Sequence, residues 1–244
     1  MKKIITTCTV IALMVLPVVG QDLNEILENH FETVGQEKLN KVETMVIKGK
    51  MMQMNMEFPF KQIIKRPNKF KLEAEVQGQS FVQAYDGENG WMVAPWMGPN
   101  PVDLAGEQLE QALEQADMDG DLHNYAEKGH QLEYVGEEDM EGTPTYKLKL
   151  TKENGDIVFY YLDKDSYVIL KQESNKTIQG QEMLIEVYPG NYDMVDGIAV
   201  AKSIKTKMDG NVTGDLTIES VEFDKPVDES VFKRPEVKEK TEGE

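Results

Sequence analysis

The chain has 244 residues, of which 44 are acidic and 26 basic, so its formal charge is −18. Neutralising phosphates takes clustered Lys and Arg, so this balance excludes nucleic-acid binding and argues against residence on an anionic bilayer. A hydrophobic share of 40% can fill the core of one all-β domain or two small ones, and the acidic surface keeps such a protein dispersed.

Met1-Lys2-Lys3, the apolar run from Ile4 to Val19 and the small or medium residues Val18-Val19-Gly20 have the pattern of a secretory signal, with cleavage expected near Gly20, before Gln21. The run is too short and wrongly flanked for a spanning helix. Cys8, the single cysteine, lies inside it and outside any lipobox context. The exported chain is therefore expected to lack thiols and disulfides and to rely on core burial and its sheet ladder.

Residues 22–34 are predicted helical: Leu23, Ile26, Leu27, Phe31 and Val34 recur at spacings of three and four, Asp22 is a candidate N-cap, and Gly35 a candidate stop. Strands are predicted from about Glu43, with Met52, Met54 and Met56 on one side of the run. Ile63-Ile64 leads into the Arg66-Pro67-Asn68 turn, after which Phe70, Leu72, Ala74 and Val76 alternate with Lys69, Lys71, Glu73 and Glu75. Phe81 to Tyr85 follows, Asp86-Gly87 turns the chain, and Trp91-Met92-Val93 continues it. Period-two alternation punctuated in this way is the mark of a meander sheet with one apolar face.

The strand pattern breaks over 98–128. Pro99-Asn100-Pro101 is a turn, and Leu104, Leu109, Ala112, Leu113 and Ala116 give a helical stripe over 103–117. A helix inserted into a strand-rich chain is placed to cover one face or mouth of the sheet. Strands are predicted again at 131–137, 144–151, 156–163, 166–174, 180–188, 199–208 and 213–223, separated by turn signals such as Glu141-Gly142, Asn154-Gly155 and Asp209-Gly210. Their regular spacing predicts a large antiparallel sheet or barrel. Residues 21–237 read as a single domain, and 238–244, charged and without apolar anchors, read as disordered.

Reactive chemistry is sparse. His30, His123 and His130 are badly spaced for zinc, and no HExxH or cysteine pair accompanies them; His30, beside the helical stripe, reads as structural. Asp117-Met118-Asp119-Gly120-Asp121 superficially resembles a calcium loop, but its sixth and twelfth positions hold Leu122 and Lys128 instead of Gly and Glu. There is no GxSxG elbow, phosphate-cradling loop or nominated carboxylate pair. The chain is therefore expected to be no enzyme, with no catalytic residue, metal or cofactor. Of fourteen methionines, Met51, Met52, Met54, Met56, Met92 and Met97 lie near Phe58, Phe60, Trp91 and Trp96. An adaptable apolar lining and an ordinary gap-filled core both suit this inventory.

Arg66-Pro67-Asn68-Lys69-Phe70 followed by Tyr85-Asp86-Gly87-Glu88-Asn89-Gly90-Trp91 and Pro95 resembles the LolA/LolB-like periplasmic lipoprotein carriers, in their outer membrane lipoprotein-sorting branch. Tyr125 to Gly136, Tyr192 to Gly197 and Phe232 to Pro235 add to the likeness. The resemblance implies a mainly β fold, an incomplete, half-open antiparallel β-barrel with helices covering its concave face. It implies a periplasmic carrier for acyl chains of lipoproteins or related envelope lipids. Its partners would be the acylated lipoprotein or lipid cargo and a membrane-bound donor or acceptor protein. It also implies that Arg66 latches the lid, provided that helix 103–117 presents carbonyls or carboxylates to it. A sensor of the same fold acting through a protein partner is the alternative. The expected cavity lining is Met52, Met54, Met56, Phe70, Leu72, Phe81, Trp91, Val93 and Trp96 from the sheet, with Leu109 and Leu113 from the cover. Greater length and acidity set this chain apart from the carriers.

Overall fold

The computed structural model describes residues 22–236 except 54, 55, 77 and 179. The signal segment with Cys8, the site candidate Met54 and the tail 238–244 lie outside the described residues. Leu23–Val34 (α1) starts on Asp22, whose carboxylate accepts from the Asn24 amide, and stops at Gly35 in the left-handed region at φ 73°. Only glycine fits there, because a Cβ would lie 2.2 Å from the Gly197 carbonyl oxygen. A short helix, Gln36–Leu39 (α2), follows.

Six strands then run Thr44–Gln53 (β1), Met56–Lys65 (β2), Lys69–Val76 (β3), Gln79–Tyr85 (β4), Gly90–Val93 (β5) and Val102–Asp103 (β6). The helix Glu107–Ala116 (α3) and a turn-rich segment lead to seven more: Gln131–Met140 (β7), Thr143–Thr151 (β8), Ile157–Asp163 (β9), Ile169–Ile178 (β10), Gln181–Val195 (β11), Ile198–Met208 (β12) and Asn211–Phe223 (β13). They form one sheet of 13 strands in the order β6-β5-β4-β3-β2-β1-β13-β12-β11-β10-β9-β8-β7. Each half is a meander, and the two are joined by antiparallel pairing of β1 with β13, for example Met45 with Phe223. The rims β6 and β7 do not pair, so the sheet is not closed into a barrel.

This topology explains the central helix. After β6 the chain stands at one rim and must begin β7 at the other, so residues 104–130 cross the inner face of the sheet. Pro59 and Pro189, which cannot donate to a ladder, sit where their strands have lost a neighbour: β2 pairs with β3 only from Phe60 onward, and β11 pairs with β10 only up to Val187.

Side chains on the inner face form three clusters. Ile26 and Leu27 of α1 pack on Leu132, Leu148, Leu150, Tyr160 and Leu162 of β7–β9. Ala112 and Ala116 of α3, with Met118, pack on Ile64, Phe70, Tyr85 and Met92 of β2–β5. Phe60, Ala74, Ile218 and Val221 fill the region between the meanders. On the outer face, Val46 and Ile63 are covered by Phe232, Val227 and Val231 of the C-terminal segment, including the 3-10 turn Glu229–Phe232. The Trp91 indole Nε1 donates to the Phe232 carbonyl at 2.8 Å, in a buried setting. Further along this face, Lys147 lies over Phe159 and Tyr161, Lys171 over Tyr161 and Tyr188, and Lys207 over Tyr188.

Candidate functional site: the covered inner face

The crossover is held to the sheet by apolar anchors and by alternating carboxylates. Met118 is buried in the α3 cluster and Leu122 in the α1 cluster, so one short strap joins the two. The aspartates on either side of them point to different partners. Asp117 accepts from Lys128. Asp119 takes a bidentate fork from Arg66, Nη1 to Oδ2 and Nη2 to Oδ1, each at 2.6 Å. Asp121 accepts from the Tyr160 hydroxyl at 3.1 Å and pairs with Lys152 at 2.9 Å. The motif that resembles a calcium loop is thus an anchoring strap, and no group of three His, Cys, Asp or Glu side chains suited to a metal ion occurs among the described residues.

Arg66 lies at the β2–β3 turn, next to the cis Arg66-Pro67 bond. Its Nε donates to the Val42 carbonyl at 2.8 Å and its Nη2 to the Leu39 carbonyl at 3.1 Å. A single guanidinium therefore ties the sheet, the end of α2 and the strap. The Arg66 and Asp119 side chains are only 21% and 17% exposed. The Arg66 hydrogen bonds hold the Asp119 carboxyl below its ordinary range, and the same bonds raise the guanidinium. The resemblance looked for this partner on helix 103–117; it comes instead from two residues beyond.

Between α3 and strands β9–β12 lies a cavity of about 380 Å³. Its floor mixes the apolar Val158, Ile178, Ile185, Val187 and Met208 and the ring of Tyr160 with the polar Gln172, Ser174, Lys176 and Thr206, and its roof is the polar face of α3, Glu107, Glu110, Gln111 and Glu114. Lys152 closes one side, reaching Glu114 at 2.6 Å and Asp121 at 2.9 Å with its own side chain 10% exposed. Burial works against the Lys152 ammonium, but the bonds to Glu114 and Asp121 outweigh it and its pKa is raised. Burial, reinforced by Asp121, pushes the Tyr160 hydroxyl well above its ordinary value, so Tyr160 is a neutral donor. The lining can enclose an apolar segment and meet polar groups at the roof and along the floor at Gln172, Ser174 and Thr206.

The register sorts the sequence-derived lining. Phe70, Leu72 and Phe81 lie on the inner face, and Leu109 packs beside Phe70 under α3. Trp96 is 69% exposed and stacks on Phe81 at 5.9 Å, covering the rim. Met56 shares the inner parity of Phe58 and Phe60 but is exposed beside the hairpin tip. Three assignments are corrected. Tyr85 pairs with Gly90 and Ala84 with Trp91, so even positions of β5 share a face with odd positions of β4. Trp91 and Val93 therefore face outward, under the C-terminal segment in the case of Trp91, and Met92 faces inward. On β1 the inner positions are odd, so Met51 is inside and Met52 opposite Glu57 is outside. Leu113 is 40% exposed at the edge of the α3 stripe. None of these residues lines the 380 Å³ cavity. Its floor was within reach of sequence reasoning, since Ile185 and Val187 alternate in a predicted strand, but no turn or aromatic cluster singled them out.

His30 is buried, with Nδ1 2.8 Å from the Tyr167 carbonyl, and burial lowers its pKa. No helix among the described residues is long and apolar enough to cross a membrane.

A model of a family of uncharacterized proteins matches residues 65–239. No curated protein matches the chain. Among solved structures, a DUF1329 family protein from Desulfovibrio piger is similar at a TM-score of 0.60 and 12% identity, over 85% of this chain and 97% of that one. A LolA superfamily protein from Nitrosomonas europaea aligns at a TM-score of 0.58 and 13% identity, over 86% and 96%. A domain described as outer membrane lipoprotein-sorting, from Vibrio parahaemolyticus, aligns at 0.57 and 13%, over 85% and 97%. At these identities the likeness shows the fold.

Proposed function

We propose that this chain, which belongs to the family of uncharacterized proteins matched over residues 65–239 and has the fold of the LolA superfamily, binds and carries the acyl chains of lipoproteins or related envelope lipids. The reading places it in the periplasm after cleavage near Gly20. It takes cargo from one membrane-bound partner and yields it to another, and its work is binding and release without turnover of the cargo.

The observation that carries this reading is the cavity of about 380 Å³ between the floor of β9–β12, apolar at Val158, Ile178, Ile185, Val187 and Met208, and the α3 cover. That volume lies within the usual range of small-molecule sites, roughly 300–1,000 Å³. Each methylene removed from water contributes about 0.8 kcal/mol, so some eight of them supply about 6 kcal/mol before ordering costs. A carrier must also let go. The cover is part of the covalent crossover and stays attached when Arg66–Asp119 and Lys152–Glu114 part, so opening requires no strand to leave the sheet.

The test is native mass spectrometry of the exported protein purified without detergent, with solvent extraction of whatever is bound. Acyl lipid or lipopeptide is expected to copurify and to be lost in Ile185→Asp and Val187→Asp variants that retain the native circular dichroism spectrum. Protein that is empty and takes up no added acyl lipid refutes the carrier.

A further inference from the structure

Resting on the carrier reading, we propose that the cavity takes uncharged acyl amides, and that Gln172 and Thr206 are the side chains that select them. The pairing of β9–β12 sets the floor out in rows. Tyr160, Gln172, Val187 and Thr206 stand side by side in one row, and Val158, Ser174, Ile185 and Met208 in the next. Beyond them Ile178 ends β10 at its hairpin with β11. The first row is thus polar at Gln172 and Thr206, on either side of an apolar residue. Toward the hairpin the floor turns to Ile185, Met208 and Ile178, with Lys176 engaged by Asp156.

The charged groups of the lining and the neutral ones differ in commitment. Lys152 is held by Glu114 and Asp121, and the Tyr160 hydroxyl donates to Asp121. The roof glutamates are exposed and keep their hydration. Gln172, Ser174 and Thr206 are half-buried, yet among the described residues none of their side chains makes a hydrogen bond. Water can satisfy them when no cargo is bound. A hydrocarbon laid over them would displace that water and leave them unpaired, which is how a site built for hydrogen bonding rejects a ligand without it. Neighbouring strands lie about 4.8 Å apart, so Gln172 and Thr206 are separated by roughly 10 Å with Val187 between them. An amide seated over Val187 lies within reach of both. Its N–H can donate to Gln172 Oε1 and its carbonyl can accept from the Thr206 hydroxyl, while Ser174, one row on, can meet the second lone pair of that carbonyl. An ester lacks the donor, and an ion would have to be desolvated among neutral groups. The tail then runs over Ile185 and Met208 toward Ile178.

The exported protein would be titrated with decanamide, methyl decanoate, decanoate and decylammonium, each below its solubility or micelle limit. Neutral pH and about 0.15 M salt screen the general field of the charged surface. Decanamide is expected to bind about tenfold tighter than methyl decanoate, as the hydrogen bonds that the ester forfeits can supply, and tighter than either ion. The Gln172→Met/Thr206→Val variant conserves shape and removes the polar atoms. In it decanamide should fall to within about twofold of methyl decanoate, while methyl decanoate binds at least as well as before. The two single variants, each expected to lose about threefold for decanamide, decide the matter if the double variant does not fold. Equal affinity for amide and ester, an ion that binds tightest, an amide preference that survives the substitutions, or a loss common to all four ligands overturns the assignment and leaves the carrier standing. If none of the four binds, the carrier reading falls and this inference with it.

Discussion

Replacing Arg66 by lysine isolates what the guanidinium does beyond carrying charge. Arg66 makes four hydrogen bonds, two to Asp119 and one each to the carbonyls of Leu39 and Val42. Lysine keeps the charge and can hold one carboxylate oxygen, but it cannot form the fork and reach both carbonyls together. Bonds to charged groups are worth about 1.5–3 kcal/mol each when intact. The pair is about one-fifth exposed, and screening and residual contacts discount the total. The expected loss is about 2–3 kcal/mol, or roughly 5–10 °C in Tm for a domain of this size. Urea titration measures the total, and amide exchange locates it: the strap around Met118–Leu122 should exchange faster by more than the β8–β9 core, whose exchange rises only with the loss of global stability. Asp119→Asn, alone and combined with Arg66→Lys, completes the cycle, and the two effects should be strongly non-additive. The acid limb provides a separate check. Because the Asp119 pKa is depressed in the folded state, its contribution is full above the unfolded value near 4 and disappears as pH falls below it. Asp119→Asn should therefore flatten the stability profile below about pH 4. If Arg66→Lys leaves the urea midpoint and strap exchange unchanged, the fork is incidental and the latch argument is wrong.

Trp91→Phe removes the buried donor to the Phe232 carbonyl and should cost about 1–3 kcal/mol in urea denaturation. It should leave acyl-lipid affinity unchanged because the ring faces outward; a matching loss of affinity would return Trp91 to the lining. Gly35→Ala places a Cβ within 2.2 Å of the Gly197 carbonyl oxygen at a positive φ, so a loss of more than about 2 kcal/mol is expected, and a stable variant would show that the α1–α2 corner shifts freely. For His30, burial lowers the pKa, so the stability it contributes is full above the unfolded value near 6.5 and falls as pH drops through the lower folded value. His30→Gln should remove that part of the acid loss, which sets in below about pH 6.5, as read by Tm across buffers.

Local signals in the sequence translate directly into structure where one rule decides. Asp22 and Gly35 bound α1 as predicted. The Gly-containing turns separate the strands of the second meander, with β8, for example, predicted at 144–151 and observed at Thr143–Thr151. The strand predicted at 180–188 runs on to Val195, because pairing with β12 continues past Pro189 and Gly190. The helix predicted at 103–117 is shorter, Glu107–Ala116, since Val102–Asp103 is taken by pairing with β5. The site was less legible. Which face a strand residue occupies depends on turn length modulo two, and the Asp86–Asn89 turn reverses the parity that aligned Trp91 with Phe81. The cavity floor is assembled from four strands by pairings between residues far apart in the chain, and its roof is the polar side of a helix whose apolar side drew attention first.

The unpaired rims β6 and β7 have a consequence for capacity. In a closed barrel, strand number and shear fix the bore, and no side chain can alter it. Here no ladder spans the gap, so the width of the trough is a soft variable set by the length of residues 104–130 and by how Met118 and Leu122 seat at either end of the strap. Relatives of this chain could therefore be tuned to bulkier or slimmer contents by inserting or deleting residues in that crossover, with all thirteen strands left in register.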